Sequence, residues 1–173
     1  MNGLIVGRYQ PFHLGHLAAV KEALEQCDRL IIAIGSAQYS HTRDNPFTAG
    51  ERYEMVYSAL RAEGIYDRVN IVPVIDVNRY AIWVSHLRSL VPPFNSIFTN
   101  NPLTQRLFSE SGYEVKQTKV YNKDKYSGSY IREQMINGGD WRQSVHPIVS
   151  EIIDRFGGVD RVRELFYLSG QVR

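Results

Sequence analysis

Short apolar runs recur along this chain, and each of the first four leads into a segment whose apolar residues return at helical spacing. Leu4-Ile5-Val6 reads as a buried strand, and Leu17, Val20, Leu24 and Cys27 follow every three or four positions. Arg29 to Ile34 is a second apolar strand ending at Gly35. After a polar loop, Thr48-Ala49-Gly50-Glu51 has the spacing of a capping box that opens a helix through about residue 62. Val69 to Ile75 is strand-like, Ala81 to Leu90 helix-like, and Ser96-Ile97-Phe98 a short strand. Asn101-Pro102 then supplies an N-cap with proline at the first helical position. Tyr113 to Thr118 reads as a last strand near the sheet edge, and Val145, Ile148, Val149, Ile152, Ile153 and Phe156 form one apolar helical face. Strands alternating with helices require right-handed crossovers and a parallel sheet covered on both faces. The expected fold is a single Rossmann-like, three-layer α/β domain spanning residues 1–173, with a helical C-terminal portion over about residues 127–167.

Composition narrows the function classes. The 173 residues are 43% hydrophobic and 22% charged, which is globular and not disordered or fibrous. No apolar run approaches the roughly 20 residues of a membrane-spanning helix. The first residues, Met1 to Gly7, lack the basic segment of a secretory signal. Cys27 is the only cysteine, so no internal disulfide can form, which fits a reducing cytoplasm. A net charge of +2 is too small to argue for nucleic acid as a partner. Among the 20 basic side chains, only Lys21, Lys116, Lys119, Lys123 and Lys125 are lysines. Guanidinium forks bind phosphate bidentately, so this bias is compatible with phosphate chemistry, although most surface arginines are simply solvated.

Parallel sheets bind ligands beyond the C-terminal ends of their strands, so the loop after the first strand carries most interest. It reads Gly7-Arg8-Tyr9-Gln10-Pro11-Phe12-His13-Leu14-Gly15-His16. His13 and His16 are three apart at a helix start and can share one face. The glycines allow close approach of a ligand to the backbone, and the helix N-terminus favours phosphate. Imidazole N–H groups there can donate to a phosphate oxygen as charge builds in a transition state. Two histidines at this spacing alone would read as surface or metal-binding residues; the strand, glycine, arginine and helix around them point to phosphate. Arg8 would reach such phosphates from the loop, or else is a surface arginine.

The His13-Leu14-Gly15-His16 segment resembles the HxGH signature of the nucleotidylyltransferase superfamily. Ser127-Gly128-Ser129-Tyr130-Ile131-Arg132 is similar to its second signature, a serine-rich turn ending in arginine at a helix start. Gly7 to Phe12, Ile34 to Gln38, Asn45 to Arg52 and Ile82-Trp83-Val84 are similar to the archaeal-type nicotinamide-nucleotide adenylyltransferases. The likeness runs to about residue 165.

That resemblance implies adenylyl transfer from ATP to nicotinamide mononucleotide (NMN), giving NAD and pyrophosphate by in-line attack without a covalent intermediate. It implies His13, His16 and Arg132 as catalytic residues, with Arg132 on the β- and γ-phosphates. Gly7, Arg8, Gly15, Ser127 and Ser129 join the ATP site, and Arg43 is the nearest match to a phosphate-contacting loop arginine. Trp83 is implied as the nicotinamide platform, the backbone near Gly35 and Ser36 completing that pocket; a core tryptophan is the alternative. Tyr80, three before Trp83 where relatives often have asparagine, is counted with the NMN-binding residues, although a side-chain amide contact from that position is lost. Mg²⁺ is expected to travel with ATP, with no protein-held metal, and relatives of this type form homo-oligomers. Cys27 fits a core position, Trp141 a structural one, and His41 lies in the Arg43 loop; His86 and His146 carry no expected role.

Two rivals stay open. One is the same chemistry on another acceptor, flavin mononucleotide or phosphopantetheine. The other is a nucleotide-sensing module without turnover, against which the intact His13, His16 and Arg132 argue.

Overall fold

The computed structural model describes residues 1–170. Five strands, β1 (Asn2–Gly7), β2 (Arg29–Ile34), β3 (Val69–Pro73), β4 (Ser96–Phe98) and β5 (Glu114–Lys116), form one sheet in the order β3-β2-β1-β4-β5. Every pairing is parallel, with Leu4 opposite Ile31 and Ile97 in register. Seven α-helices accompany them: α1 (Leu14–Gln26), α2 (Ala49–Ala62), α3 (Tyr80–Leu90), α4 (Pro102–Glu110), α5 (Gly128–Asn137), α6 (Pro147–Arg155) and α7 (Gly158–Ser169). The three-layer Rossmann-like architecture and the helical C-terminal portion are as expected.

Strand β2 shows why the sheet is buried on both sides. Its alternate residues Leu30, Ile32 and Ile34 join one core with Leu17 and Val20 of α1, Met55 of α2, Ile131 of α5 and Ile153 of α6. Ile31 and Ala33 point the other way, to a second core with Leu4, Ile97, Leu87 of α3 and Phe108 of α4. Period-two alternation inside a continuous apolar run is the mark of a strand covered by helices on both faces. Each fully buried aliphatic side chain contributes about 1.5–3 kcal/mol.

The boundaries read from local chemistry hold well. Thr48 Oγ1 accepts from Glu51 N, and Glu51 returns a carboxylate oxygen to Thr48 N, so the capping box sets the start of α2. Asn101 Oδ1 caps α4 with Pro102 at the first turn. Three places differ from expectation, the first being β5, which covers only Glu114–Lys116 of the expected Tyr113 to Thr118. Strand β3 stops at Pro73, one residue before Val74 N makes a last bond to Ile34 O at 2.8 Å and the chain turns away. Val145 precedes α6 and closes a 3₁₀ turn at Trp141–Ser144, since His146 caps and Pro147 starts that helix.

The strand order reverses at β1: the chain runs outward through β2 and β3, then returns to the other side of β1 with β4 and β5. Carboxyl ends of adjacent strands diverge at such a point and leave a crevice. The loops after β1, β2, β3 and β4 all open there.

Candidate active site

The first loop delivers two imidazoles in a defined state. His13 is the N-cap of α1, and its Nδ1 accepts from His16 N at 3.2 Å. His16 Nδ1 accepts from His13 N, also at 3.2 Å. This is a capping box built from two histidines, with their rings stacked at a centroid separation of 3.5 Å. A backbone N–H can only donate, so both Nδ1 atoms carry lone pairs and each proton resides on Nε2. Burial lowers His13 from 6.5 to about 4. His16 is pushed well below its ordinary value by burial and then by the charge His13 would carry. Both rings are therefore neutral Nε2–H donors at neutral pH. Phe12 stacks on His16 from the other side at 5.6 Å, and Tyr9 meets it edge-on at 4.7 Å. Gly15 serves this packing: a Cβ there would lie 3.0 Å from the His13 ring and 3.0 Å from Tyr126.

The second motif converges on the same loop. Ser127 caps α5, its Oγ accepting from Tyr130 N at 3.2 Å, and Ser129 sits exposed in the first turn. Arg132 projects back so that its Nη1 donates to Gln10 O at 2.8 Å. Gly128 makes that possible, because a Cβ there would stand 2.8 Å from Arg132 Nη1 and 3.1 Å from Gln10 O. Gln10 in turn clamps Phe47, giving its Nε2 to Phe47 O and accepting from Phe47 N. Arg132 and Ser129 line a cavity of about 510 Å³ together with Arg43, whose guanidinium also lies 4.8 Å over the Phe166 ring. Asp44, exposed, comes within 4.0 Å of Arg132.

A second cavity of about 300 Å³ opens at the strand ends and brings Gly7, Arg8, Gly35, Ser36 and Trp83 together. Trp83 is half-buried, one edge resting on Phe108 at 5.5 Å and an interplanar angle of 89°, so it both packs and lines. Tyr80 is 67% exposed and lines an adjoining hollow with Asp76, Asn78, Arg79 and Trp83, a hollow that does not include Gly35 or Ser36. Neither imidazole is part of these two cavity walls; the loop that carries them ends one wall with Gly7 and Arg8 and anchors the other through Gln10. Among the described residues no cluster of three or more His, Cys, Asp or Glu is arranged around a metal position.

The other candidate residues have structural places. Cys27 is buried and donates to Ala23 O. Trp141 packs in the first core. His146 caps α6, His86 approaches Ile75 O at 2.8 Å, and His41 pairs with Ser40 outside both cavities.

Sequence reasoning missed two residues. Asp76 follows β3 and fixes Ser36, accepting from its Oγ at 2.6 Å and its N at 3.2 Å, and it lines the second cavity. Its place beyond a strand end was the available signal. Arg52 is fully buried beneath the same loops. It closes the Asn45 to Arg52 segment, where its residue type alone suggested no role.

Comparisons with known proteins bear on the family and the fold. The model of the cytidylyltransferase-like family matches residues 4–134. A nicotinamide-nucleotide adenylyltransferase of Picrophilus torridus is 50% identical over 95% of this chain and 97% of its own length. One from Archaeoglobus fulgidus is 48% identical with the same coverage of both chains. Among solved structures, a bifunctional NMN adenylyltransferase/ADP ribose pyrophosphatase of Francisella tularensis, in complex with AMP and a manganese ion, superposes with a TM-score of 0.78 at 25% identity. That match covers 95% of this chain and 51% of the Francisella chain, so this chain spans about half of that protein's length.

Proposed function

The chain belongs to the cytidylyltransferase-like family, and from that premise we propose that it is the enzyme that transfers the adenylyl group of ATP to NMN, giving NAD and pyrophosphate. The observation that carries the reading is the pairing of two unlike cavities across one loop. One has guanidinium groups, Arg43 and Arg132, at a helix start, a setting for a triphosphate. The other has an indole and the Asp76 carboxylate, a setting for a planar cation such as pyridinium.

An oxygen of the NMN phosphate attacks the α-phosphorus of ATP, the bond from that phosphorus to the bridging α–β oxygen breaks, and pyrophosphate leaves with the electron pair. No side-chain nucleophile enters. Both reactants are anions, so the protein's work is alignment and charge stabilisation. Arg8 and Arg132 supply cations, and Ser127 and Ser129 supply donors at the start of α5. The Nε2–H groups of His13 and His16 donate as neutral rings to charge growing at the α-phosphate. A divalent ion, expected to be Mg²⁺, accompanies the ATP phosphates and neutralises part of their charge. The Gly35–Ser36 backbone and Trp83 hold the nicotinamide end, while the exposure of Tyr80 gives it at most a rim contact. A cytoplasmic location and assembly with further copies of the chain complete the reading.

The test is a coupled assay with MgATP and, in turn, NMN, flavin mononucleotide and phosphopantetheine. NAD and pyrophosphate in equal amounts with NMN are expected. Turnover confined to another acceptor would reassign the second cavity, and no pyrophosphate with any acceptor would mean a sensing module.

A further inference from the structure

Among the described residues Arg52 is the largest fully buried side chain, with 0% of its surface exposed, and it has no ion-pair partner there. Its guanidinium has five N–H donors, and five backbone carbonyls receive them. Nε donates to Thr48 O at 3.2 Å. Nη1 donates to Arg8 O at 2.9 Å and to Gly35 O at 2.8 Å. Nη2 donates to Ser36 O at 3.1 Å and to Tyr39 O at 3.3 Å. A buried cation is tolerated only when its donors are matched, and here all five are. It remains charged at neutral pH, although burial, and secondarily Arg8, lowers it to about 10.

The acceptors come from three separate segments. Arg8 belongs to the loop after β1, Gly35, Ser36 and Tyr39 to the loop after β2, and Thr48 caps α2. Arg8, Gly35 and Ser36 also line the smaller cavity, which does not include Arg52 in its wall. One planar group therefore sets the spacing of two loops from behind their backbone. The loop after β1 carries Arg8 and the histidine pair, and the loop after β2 carries the Ser36–Asp76 bonds. A fork with fixed angles can do this, whereas a lysine has one nitrogen with three donors and must leave carbonyls unmatched.

We propose that Arg52 is a positioning residue for adenylyl transfer, holding the β1 loop against the β2 loop so that the phosphates of ATP and the acceptor phosphate meet in line. This rests on the reaction proposed above. Arg52 hydrogen-bonds to none of Arg43, Arg132 or Trp83, so its loss should disturb the mutual placement of two bound substrates more than the binding of either. A misplacement of about 1 Å between reacting groups costs roughly 10²-fold in rate.

The experiment is steady-state kinetics of wild type and Arg52→Lys with MgATP and NMN, well below the melting midpoint of the variant, with the folded fraction measured by circular dichroism. The expected result is a kcat lower by about 30- to 100-fold, with both KM values within a few-fold of wild type. A residue that only stabilises the fold would lower the Tm and leave kcat per folded molecule nearly unchanged, and that result overturns the proposal. A wild-type chain that forms no NAD would overturn the reaction itself, an outcome distinct from equal activity of both proteins. The wild-type protein supplies a second measurement should Arg52→Lys not fold. Proton–nitrogen NMR of the Arg52 guanidinium should resolve separate, slowly exchanging Nη protons that stay fixed when substrates bind. A single averaged Nη signal would mean that the group rotates free of its carbonyls, and the positioning role would fall with it.

Discussion

Lowering the pH should unfold the protein through the histidine cap of α1, and the size of the effect follows from the His13 environment. In the folded chain His13 is lowered to about 4, whereas in the unfolded chain it titrates near 6.5. Between those values the unfolded state binds the proton and the folded state does not, so stability falls as pH falls. The contribution is intact above about pH 6.5 and is progressively lost down to about 4. At pH 4.5 the loss from His13 alone amounts to about 2 to 3 kcal/mol, from the two titration midpoints. His16 acts in the same direction. Protonation also destroys the cap itself, because Nδ1 can no longer accept from the His16 amide. Urea unfolding at a series of pH values, on wild type and on His13→Asn, isolates the term, since asparagine can still cap a helix. Wild type should lose about 2 to 3 kcal/mol more than the variant between pH 7 and 4.5, and NMR should place the His13 titration well below 6. Parallel pH profiles for the two proteins, or a His13 midpoint near 6.5, would refute both the burial argument and the assignment of neutral Nε2–H donors. The same assignment predicts that turnover does not fall between pH 6 and 8 through loss of an imidazolium.

Other perturbations probe the site piece by piece. His16→Ala should lower turnover by about 10²–10³ while ATP binding changes little; steady-state kinetics on the folded variant decide, and turnover within a few-fold of wild type would remove its role. Arg132→Lys keeps the charge but cannot both hold Gln10 O and present a fork, so the KM for ATP should rise while that for NMN is spared. Gly128→Ala should act in the same way, because its Cβ would sit 2.8 Å from Arg132 Nη1. Trp83→Ala should raise the KM for NMN about ten-fold, the scale of one stacked aromatic contact, and also lower the Tm through the lost edge contact with Phe108. In a Trp141→Phe background NAD should quench Trp83 fluorescence more than ATP does; equal KM losses for both substrates in Trp83→Ala would make Trp83 a core residue only.

Much of the fold was legible because its signals are local. The capping box at Thr48 and Glu51, the Asn101-Pro102 start of α4 and the apolar run of β2 each depend on residues within a few positions of one another. Strand alternation with helices then restricts topology to parallel crossovers, which places Gly7, Gly35 and the loop after β4 on one edge. The grouping of Arg43, Ser129 and Arg132 in one cavity was legible only through motif resemblance, since Ser129 lies 86 positions beyond Arg43. Tyr80 and Trp83, three apart on one helix, line one hollow with Asp76 as their spacing implies, while Tyr80 lies outside the cavity that Trp83 shares with Gly35.

Arg52 escaped for a deeper reason. Pattern reading looks for side chains that complement side chains, such as a carboxylate for an arginine or a second histidine for a first. The partners of Arg52 are carbonyls, which every residue carries, so nothing in the identity of residues 8, 35, 36, 39 or 48 marks them as acceptors. Helical periodicity in α2 even places position 52 beside Met55, Val56 and Ala59 on the buried face, where a sequence argument expects an apolar side chain. An arginine at an apolar register position is a violation of pattern, and burying it unmatched would cost several kcal/mol. The fold therefore has to surround it with acceptors, and the free carbonyls nearest the sheet's carboxyl edge are those of the loops that line the smaller cavity. A charged residue out of register on a helix that packs under strand ends is thus itself a signal, carried by helical periodicity and residue type together.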